Sequence, residues 1–548
     1  MSRTRSVSGT DAAGGSGRGR VWKPIGLAVV ACAGLSVAMA GCSSGPETKP
    51  DALTTMRNPE LGVKVRVDAA EQLWNDVQAG QASGAQARRA MMDLAWSDRT
   101  PLDLRVRTLE ILFADTDEQA QRDVREMVRL RLPRERDRFI VKMLSETAAQ
   151  RGWAECVPAL VRAYSRTVER EADLTRPERL AIQTLSPGRD VEAIVFGVFL
   201  SPPPEPKTLG MSWEERFQID AWDLMNRLDR DGRRRRALVE DPALSKDASS
   251  LGQAVLADVR AMVESFGVMP ATGQELLWAR QLRSKDKPGN QAWWERTSAA
   301  VKGLGESQRS GLAMRHLEAV RWASVRRPAW LSATREELRA ELGSRLGART
   351  THQRTADTPI TTRRRAENLD AYADRLVWAD YLAMLVVDEA LASSGVAGQL
   401  FEQARLDMRD ESTEYGGLIA ARLSGRGALF ADGAETFAVT MFTPRPNQRE
   451  GNEVFVASDD MVQQGDQSLA HYHFHAQKFE NKSFAGPSEG DMAYATRSGR
   501  GCVVFTMIDK DTMNADYYQP DGAVVDLGEI KRPVSAAAGV VPAAEPGR

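Results

Sequence analysis

Three of the chain's five histidines fall on alternate positions of one stretch, His471, Tyr472, His473, Phe474 and His475. In an extended backbone successive side chains point to opposite faces, so all three imidazoles leave the same side. Such a row can aim nitrogen ligands at a metal ion if further ligands come within reach. Downstream, Ser488, Glu489, Gly490 and Asp491 stand where a loop turns into a helix carrying Met492, Ala493 and Ala495, which makes Asp491 a candidate third ligand. Upstream, Glu414 precedes Tyr415, Gly416, Gly417, Leu418 and Ile419, at the expected junction of a helix with a strand. The two glycines there let backbone approach closely.

In chain order, a glutamate, a His-x-His pair and Ser-x-x-Asp resemble the signature of the JAB/MPN (JAMM) metalloprotease family. The likeness covers roughly Gln399 to Leu527 and extends to framework features: a leading helix, the Glu-x-x-Gly-Leu-Ile strand, a turn at Pro446 and Asn447, the small-residue helix after Asp491, and the strand Val503 to Met507. The resemblance implies a zinc held by His473, His475 and Asp491 with an open fourth position, as in catalytic rather than structural zinc sites. It implies Glu414 as the general base and Ser488 as the donor to the oxyanion, in hydrolysis of a peptide or isopeptide bond. Two departures stand out. Family members usually carry a proline just after the second histidine and a shorter loop before the serine, whereas this chain has Ala476 and the stretch Gln477 to Pro487. The register also has two solutions: His473 with His475, favoured because His471 lies deeper in the strand and further from Asp491, or His471 with His473.

A non-catalytic relative with the same fold would still be a binding module. His473, Phe474, His475, then Glu480 and Gly486, also resemble half of a cupin motif. A cupin needs another histidine in its second half, and none follows His475. The preceding helix and the Glu-x-x-Gly-Leu-Ile strand have no place in a cupin barrel.

The elements that must position these groups form a mixed α/β domain over 396–532. Strands are expected at Gly417–Leu423, Gly427–Phe430, Thr436–Phe442, Glu453–Val456, Leu469–His475, Cys502–Ile508 and Ala523–Leu527, with a helix before them at Gln399–Arg409 and one among them between Glu489 and Arg497. The region 59–395 reads as helical. Thr100 and Pro101 suit an N-cap and first helical position. Asp115–Leu132, Arg134–Arg151 and Trp153–Arg166 follow as amphipathic helices, the first two punctuated by Pro133. Consecutive helices on short turns weakly resemble a HEAT-type α-solenoid, with a non-repetitive bundle as the alternative. Trp278, Trp293, Trp294, Trp322, Trp330 and Trp378 read as wedges between helices rather than a ligand-stacking surface. The basic runs Arg233–Arg236 and Arg363–Arg365 read as solvated helix ends or turns.

At 548 residues the chain exceeds one ordinary core, and 73 basic against 75 acidic residues give no field for a nucleic-acid partner. Arg3, Arg5, Arg18, Arg20 and Lys23 precede an apolar run from Ile25 to Ala40. Met39, Ala40, Gly41 and Cys42 then resemble the bacterial lipobox. The expectation is a signal peptide over 1–41, lipidation at Cys42, a flexible tether over 42–58 and a lipid-anchored protein of the cell envelope. Membrane contact is thus expected through the lipid, and the partner is a protein or peptide substrate. Cys156 and Cys502 remain as thiols, too few for a disulfide framework. Residues 533–548 read as a disordered tail.

Overall fold

The computed structural model describes residues 51–168, 171–204, 212–244, 246, 248–287, 289–355, 365–421 and 437–533. The expected signal peptide, Cys42, the strand Gly427–Phe430 and residues 534–548 of the expected tail lie outside them. The described residues are mostly helical, with a mixed sheet towards the C-terminus.

Helices run from Ala52 to Asp407 in short, frequently capped segments. The first falls inside the expected tether and corrects it. Ala52–Arg57 is helical because Asp51 caps it, accepting from the Thr54 amide at 2.7 Å, and Met56 is buried in the core that follows. Leu102–Ala114 begins one residue later than expected, with Pro101 rather than Thr100 at the cap position and no side-chain cap. Glu118–Arg131 and Arg138–Gln150 flank Pro133, each capped by an aspartate, Asp117 and Asp137. The segment after Trp153 starts as a 3-10 turn and becomes the helix Val157–Ser165. Five of the six tryptophans singled out in the sequence are buried, and Trp294 packs against the same core. In the first basic run Arg235 is buried, with its guanidinium 5.7 Å from the Trp222 ring.

Among the described residues eight strands follow: β1 (Thr413–Glu414), β2 (Gly416–Ala421), β3 (Phe437–Phe442), β4 (Gly451–Phe455), β5 (Ser468–His475), β6 (Cys502–Asp509), β7 (Thr512–Tyr518) and β8 (Val524–Lys531). Six of them make one sheet in the order β3-β2-β5-β6-β7-β8, while β1 and β4 form a small parallel pair. Only β5 and β6 are parallel within the large sheet, and the helix Glu489–Ser498 makes their crossover. Strand β7 has no counterpart in the sequence reading, because Asn514 and Asp516 interrupt its apolar alternation, yet both are fully buried.

The period of two along β5 sorts its side chains cleanly. Tyr472 and Phe474 join Val503, Phe505, Ala515 and Val525 in a core shared with helices from Met262 onward. Phe474, Phe505, Val503 and Val525 each contribute about 1.5–3 kcal/mol by leaving water. The helix Trp378–Leu391 lies beneath this face, with every residue except Glu389 buried. His471, His473 and His475 point to the opposite face. There the crossover helix packs Met492 and Ala495 against Cys502, Val504, Tyr518 and Val524. A separate helical core gathers Met56 to Leu276. Cys156 and Cys502 are both free and buried, in different cores.

Candidate metal centre

β2 and β5 pair antiparallel, which sets Gly416 opposite His473 and Gly417 opposite Tyr472. A Cβ on Gly416 would collide with the Phe455 ring and the Tyr472 carbonyl oxygen, so only glycine lets β1 and β4 close over the histidines. This closure carries Glu414 from the end of β1 to the histidine face. Glu414, His473 and His475 each offer a ligand atom within 4.8 Å of the others, and all three are buried.

Asp491 completes the group from the crossover helix. Its Oδ1 lies 3.2 Å from His473 Nε2, and its Oδ2 lies 3.6 Å from His475 Nε2. The carboxylate is aimed by a capping box: the Ser488 amide donates to Asp491 Oδ2 at 2.6 Å, and the Asp491 amide donates to Ser488 Oγ at 3.2 Å. Ser488 therefore stands beside the cluster with its hydroxyl proton uncommitted to the cap.

The remaining ring nitrogens are also held. His475 Nδ1 donates to the Phe484 carbonyl at 2.9 Å, which leaves the Nε2 lone pair facing the cluster. His473 Nδ1 lies 3.4 Å from the Tyr518 hydroxyl, and the Phe455 ring stacks on its imidazole at 4.9 Å. His473 Nε2, although buried, makes no hydrogen bond of normal geometry. The Asp491 carboxylate and the Nε2 atoms of His473 and His475 thus converge on one small volume.

The electrostatics point the same way. Burial pushes the Glu414 carboxyl up to about 9, reinforced by the Asp491 and Asp407 carboxylates. Burial would raise Asp491 too, but the imidazoles of His473 and His475 hold it well below the usual carboxylate range. Burial lowers His475 and favours the neutral ring that can ligate, against the opposing pull of Asp491. The two carboxylates of the site are thus driven in opposite directions, Glu414 up and Asp491 down. A donor set of two imidazoles and buried carboxylates could hold a metal ion.

Comparison with protein-family models, curated proteins and solved structures returned no match. The residues themselves carry the argument.

Of the residues named from the sequence, Glu414, His473 and His475 come together, Asp491 lies against both imidazoles, and Ser488 is bonded to Asp491. His471 is not among the clustered ligand atoms, and Glu480 is exposed on the loop beyond them. An open sheet with a parallel crossover is also no cupin barrel. Several contributors escaped sequence reasoning. Gln477 Nε2 donates to Glu414 Oε1 at 3.0 Å and to the Asn452 carbonyl at 2.7 Å, fixing the carboxyl's direction. Asn481 Nδ2 donates to the His475 carbonyl at 3.0 Å, and the Asn481 amide donates to the Met507 carbonyl at 2.9 Å. Arg354, from a distant segment, donates to the carbonyls of Phe484 at 3.2 Å and Gly486 at 3.3 Å. The long loop Gln477 to Pro487 is thus pinned at several points. Polar residues in an eleven-residue loop gave a place to look for such pins, but no periodicity names them.

Proposed function

We propose that the chain is a zinc-dependent hydrolase of the JAB/MPN kind that cleaves a peptide or isopeptide bond. The observation that carries this reading is the convergence of Glu414, His473 and His475 within 4.8 Å, with Asp491 against both imidazoles. His473, His475 and Asp491 would hold the zinc. A bound zinc supplies Lewis acidity and lowers the pKa of water toward neutrality.

The chain's own residues supply the rest. Glu414, directed by Gln477, accepts a proton from the attacking water and returns it to the leaving amine nitrogen. The Ser488 hydroxyl, whose oxygen already accepts from the Asp491 amide, donates its proton to the carbonyl oxygen as negative charge develops there. Phe455 over His473 limits entry of bulk water on that side.

In this reading the N-terminal segment ends in a lipidated Cys42 that tethers the enzyme to the exported side of a bacterial membrane. The helix pairs between would form a HEAT-like spacer. Export makes a cytoplasmic ubiquitin-like substrate a poor fit and favours peptides or proteins of the envelope.

Metal analysis of the purified protein without its first 50 residues tests the reading. One tightly bound zinc per chain and chelator-sensitive amide cleavage are expected. A zinc-free protein with well-folded spectra would sink it, leaving a scaffold whose helical surface does the work.

A further inference from the structure

One imidazole of the row is left over. His471 is buried, its Nδ1 lies 2.6 Å from the Tyr494 hydroxyl, and its Nε2 makes no hydrogen bond. Gly465 covers it without filling the space, since a Cβ there would come within 3.0 Å of Nε2. His471 lines a cavity of about 240 Å³ between the helix Gly273–Arg283 and the helix Glu489–Ser498.

Two arginines share that cavity. Arg497 is exposed, whereas Arg500 is buried with its guanidinium 3.4 Å from the centroid of the Trp278 ring. Arg500 Nη1 donates to the Gly465 carbonyl and, at 3.2 Å, to Ser468 Oγ; its Nε and Nη2 donate to no atom among the described residues. No carboxylate among those residues forms an ion pair with it. The nearest acids are engaged elsewhere: Asp466 pairs with Lys287 at 3.2 Å, and Glu275 accepts from the Ala271 amide. No acidic residue lines the cavity. A buried guanidinium without a counter-charge is costly unless a ligand provides one.

We propose that this cavity binds a carboxylate. The free edge of the Arg500 fork matches the two oxygens of such a group, and Trp278 holds the guanidinium plane in place. His471 Nε2, buried and without a partner, is free to donate to the same anion in the tautomer whose Nδ1 accepts from the Tyr494 hydroxyl. Arg497 adds a second positive charge at the rim. Tyr494 packs edge-on against Phe455 at 5.7 Å, and Phe455 stacks on His473, so one aromatic ring separates the cavity's wall from the metal ligands. That placement makes it a recognition pocket for an acidic group on the peptide, a part of the proposal that rests on the hydrolase reading above.

Calorimetric titration of chelator-treated, metal-free protein tests the pocket apart from the metal. N-acetylglutamate is expected to bind saturably, with N-acetylglutamine at least about tenfold weaker, the size of one lost charge-assisted pair. Arg500→Gln should abolish the heat of binding. Should that variant fail to fold, Leu277→Trp, which fills the cavity, must abolish it and Arg497→Gln must weaken it severalfold. Equal binding of acid and amide, tighter binding of inorganic phosphate, or unchanged binding in Leu277→Trp and Arg497→Gln each overturn the assignment. Acid binding by a protein that never takes up zinc would leave the pocket standing and the hydrolase fallen. A zinc-loaded, active enzyme that ignores the acid would do the reverse.

Discussion

Ser488 and Asp491 hold each other through a reciprocal pair of hydrogen bonds, 2.6 Å from the Ser488 amide to Oδ2 and 3.2 Å from the Asp491 amide to Ser488 Oγ. The same pair caps the crossover helix and aims a carboxylate at His473 and His475. Structure and chemistry are therefore coupled at one turn. Ser488→Ala should lower stability by about 1 kcal/mol through the lost cap. It should also reduce kcat more than KM, because the hydroxyl is assigned to the developing oxyanion. Ser488→Thr, which retains a capping hydroxyl, should recover the stability. A Ser488→Ala enzyme with full kcat would remove the oxyanion role.

Glu414 decides between two ligand sets. If His473, His475 and Asp491 hold the zinc, Glu414→Gln keeps the metal and loses turnover, while His473→Ala, His475→Ala and Asp491→Asn lose the metal. Zinc content by mass spectrometry after dialysis separates the outcomes. Loss of zinc in Glu414→Gln would make that glutamate a ligand rather than the base.

Tyr518 orients His473 through a ring-nitrogen contact of 3.4 Å. Tyr518→Phe should weaken zinc by about 10- to 100-fold, the usual effect of removing a group that orients a ligating histidine. Competition against a chromophoric chelator measures this. An unchanged affinity would mean that Phe455 stacking alone positions the ring.

Gly416→Ala should be among the most damaging small substitutions. The added methyl meets the Phe455 ring and the Tyr472 carbonyl oxygen, and backbone cannot yield as a side chain can. A loss of about 1–3 kcal/mol, typical of overpacking, is expected together with weaker zinc binding. A denaturant midpoint equal to that of the unaltered protein would show that β1 and β4 do not close over His473 as described.

Asp223, in the helical region, gives a pH test independent of the metal. Burial pushes its carboxyl up to about 6; the Gly273 amide, donating at 2.6 Å, opposes this, and the Asp220 carboxylate adds to it. A raised folded-state pKa means that the folded chain keeps a proton which the unfolded chain releases. The associated stability is full below about pH 4 and is lost as pH rises through about 6. Asp223→Asn should therefore gain about 2 kcal/mol on the unaltered protein between about pH 4.5 and 7.5. A difference that does not change with pH would refute the shift.

The sequence made the candidate site residues legible because each carries a local signal: alternation for the histidines, adjacent glycines for Glu414, helix-start spacing for Asp491. The groups that steady them do not. Gln477, Asn481, Arg354 and Tyr518 reach the site through loop closure and strand pairing, which no short spacing encodes. Strand β7 was hidden for a related reason. Asn514 and Asp516 read as turn residues, yet Asn514 Nδ2 donates to Asp516 Oδ2 at 2.9 Å and to Asp526 Oδ1 at 3.1 Å, and this polar pairing lets them be buried. The Ser-x-x-Asp spacing is a capping box in the structure, and the same turn sets the Asp491 carboxylate against His473 and His475.

The helices give way to strands only after Asp407, one helix beyond the change of pattern read near Gly395. That change does not mark where the sheet's apolar support begins, since Tyr472, Phe474 and Phe505 share one core with Trp278, Trp322 and Tyr381. Recombination that moved only the strands into another gene would deliver a sheet with its floor missing. A fragment meant to carry the histidine strand on its own core must therefore reach back past Met262.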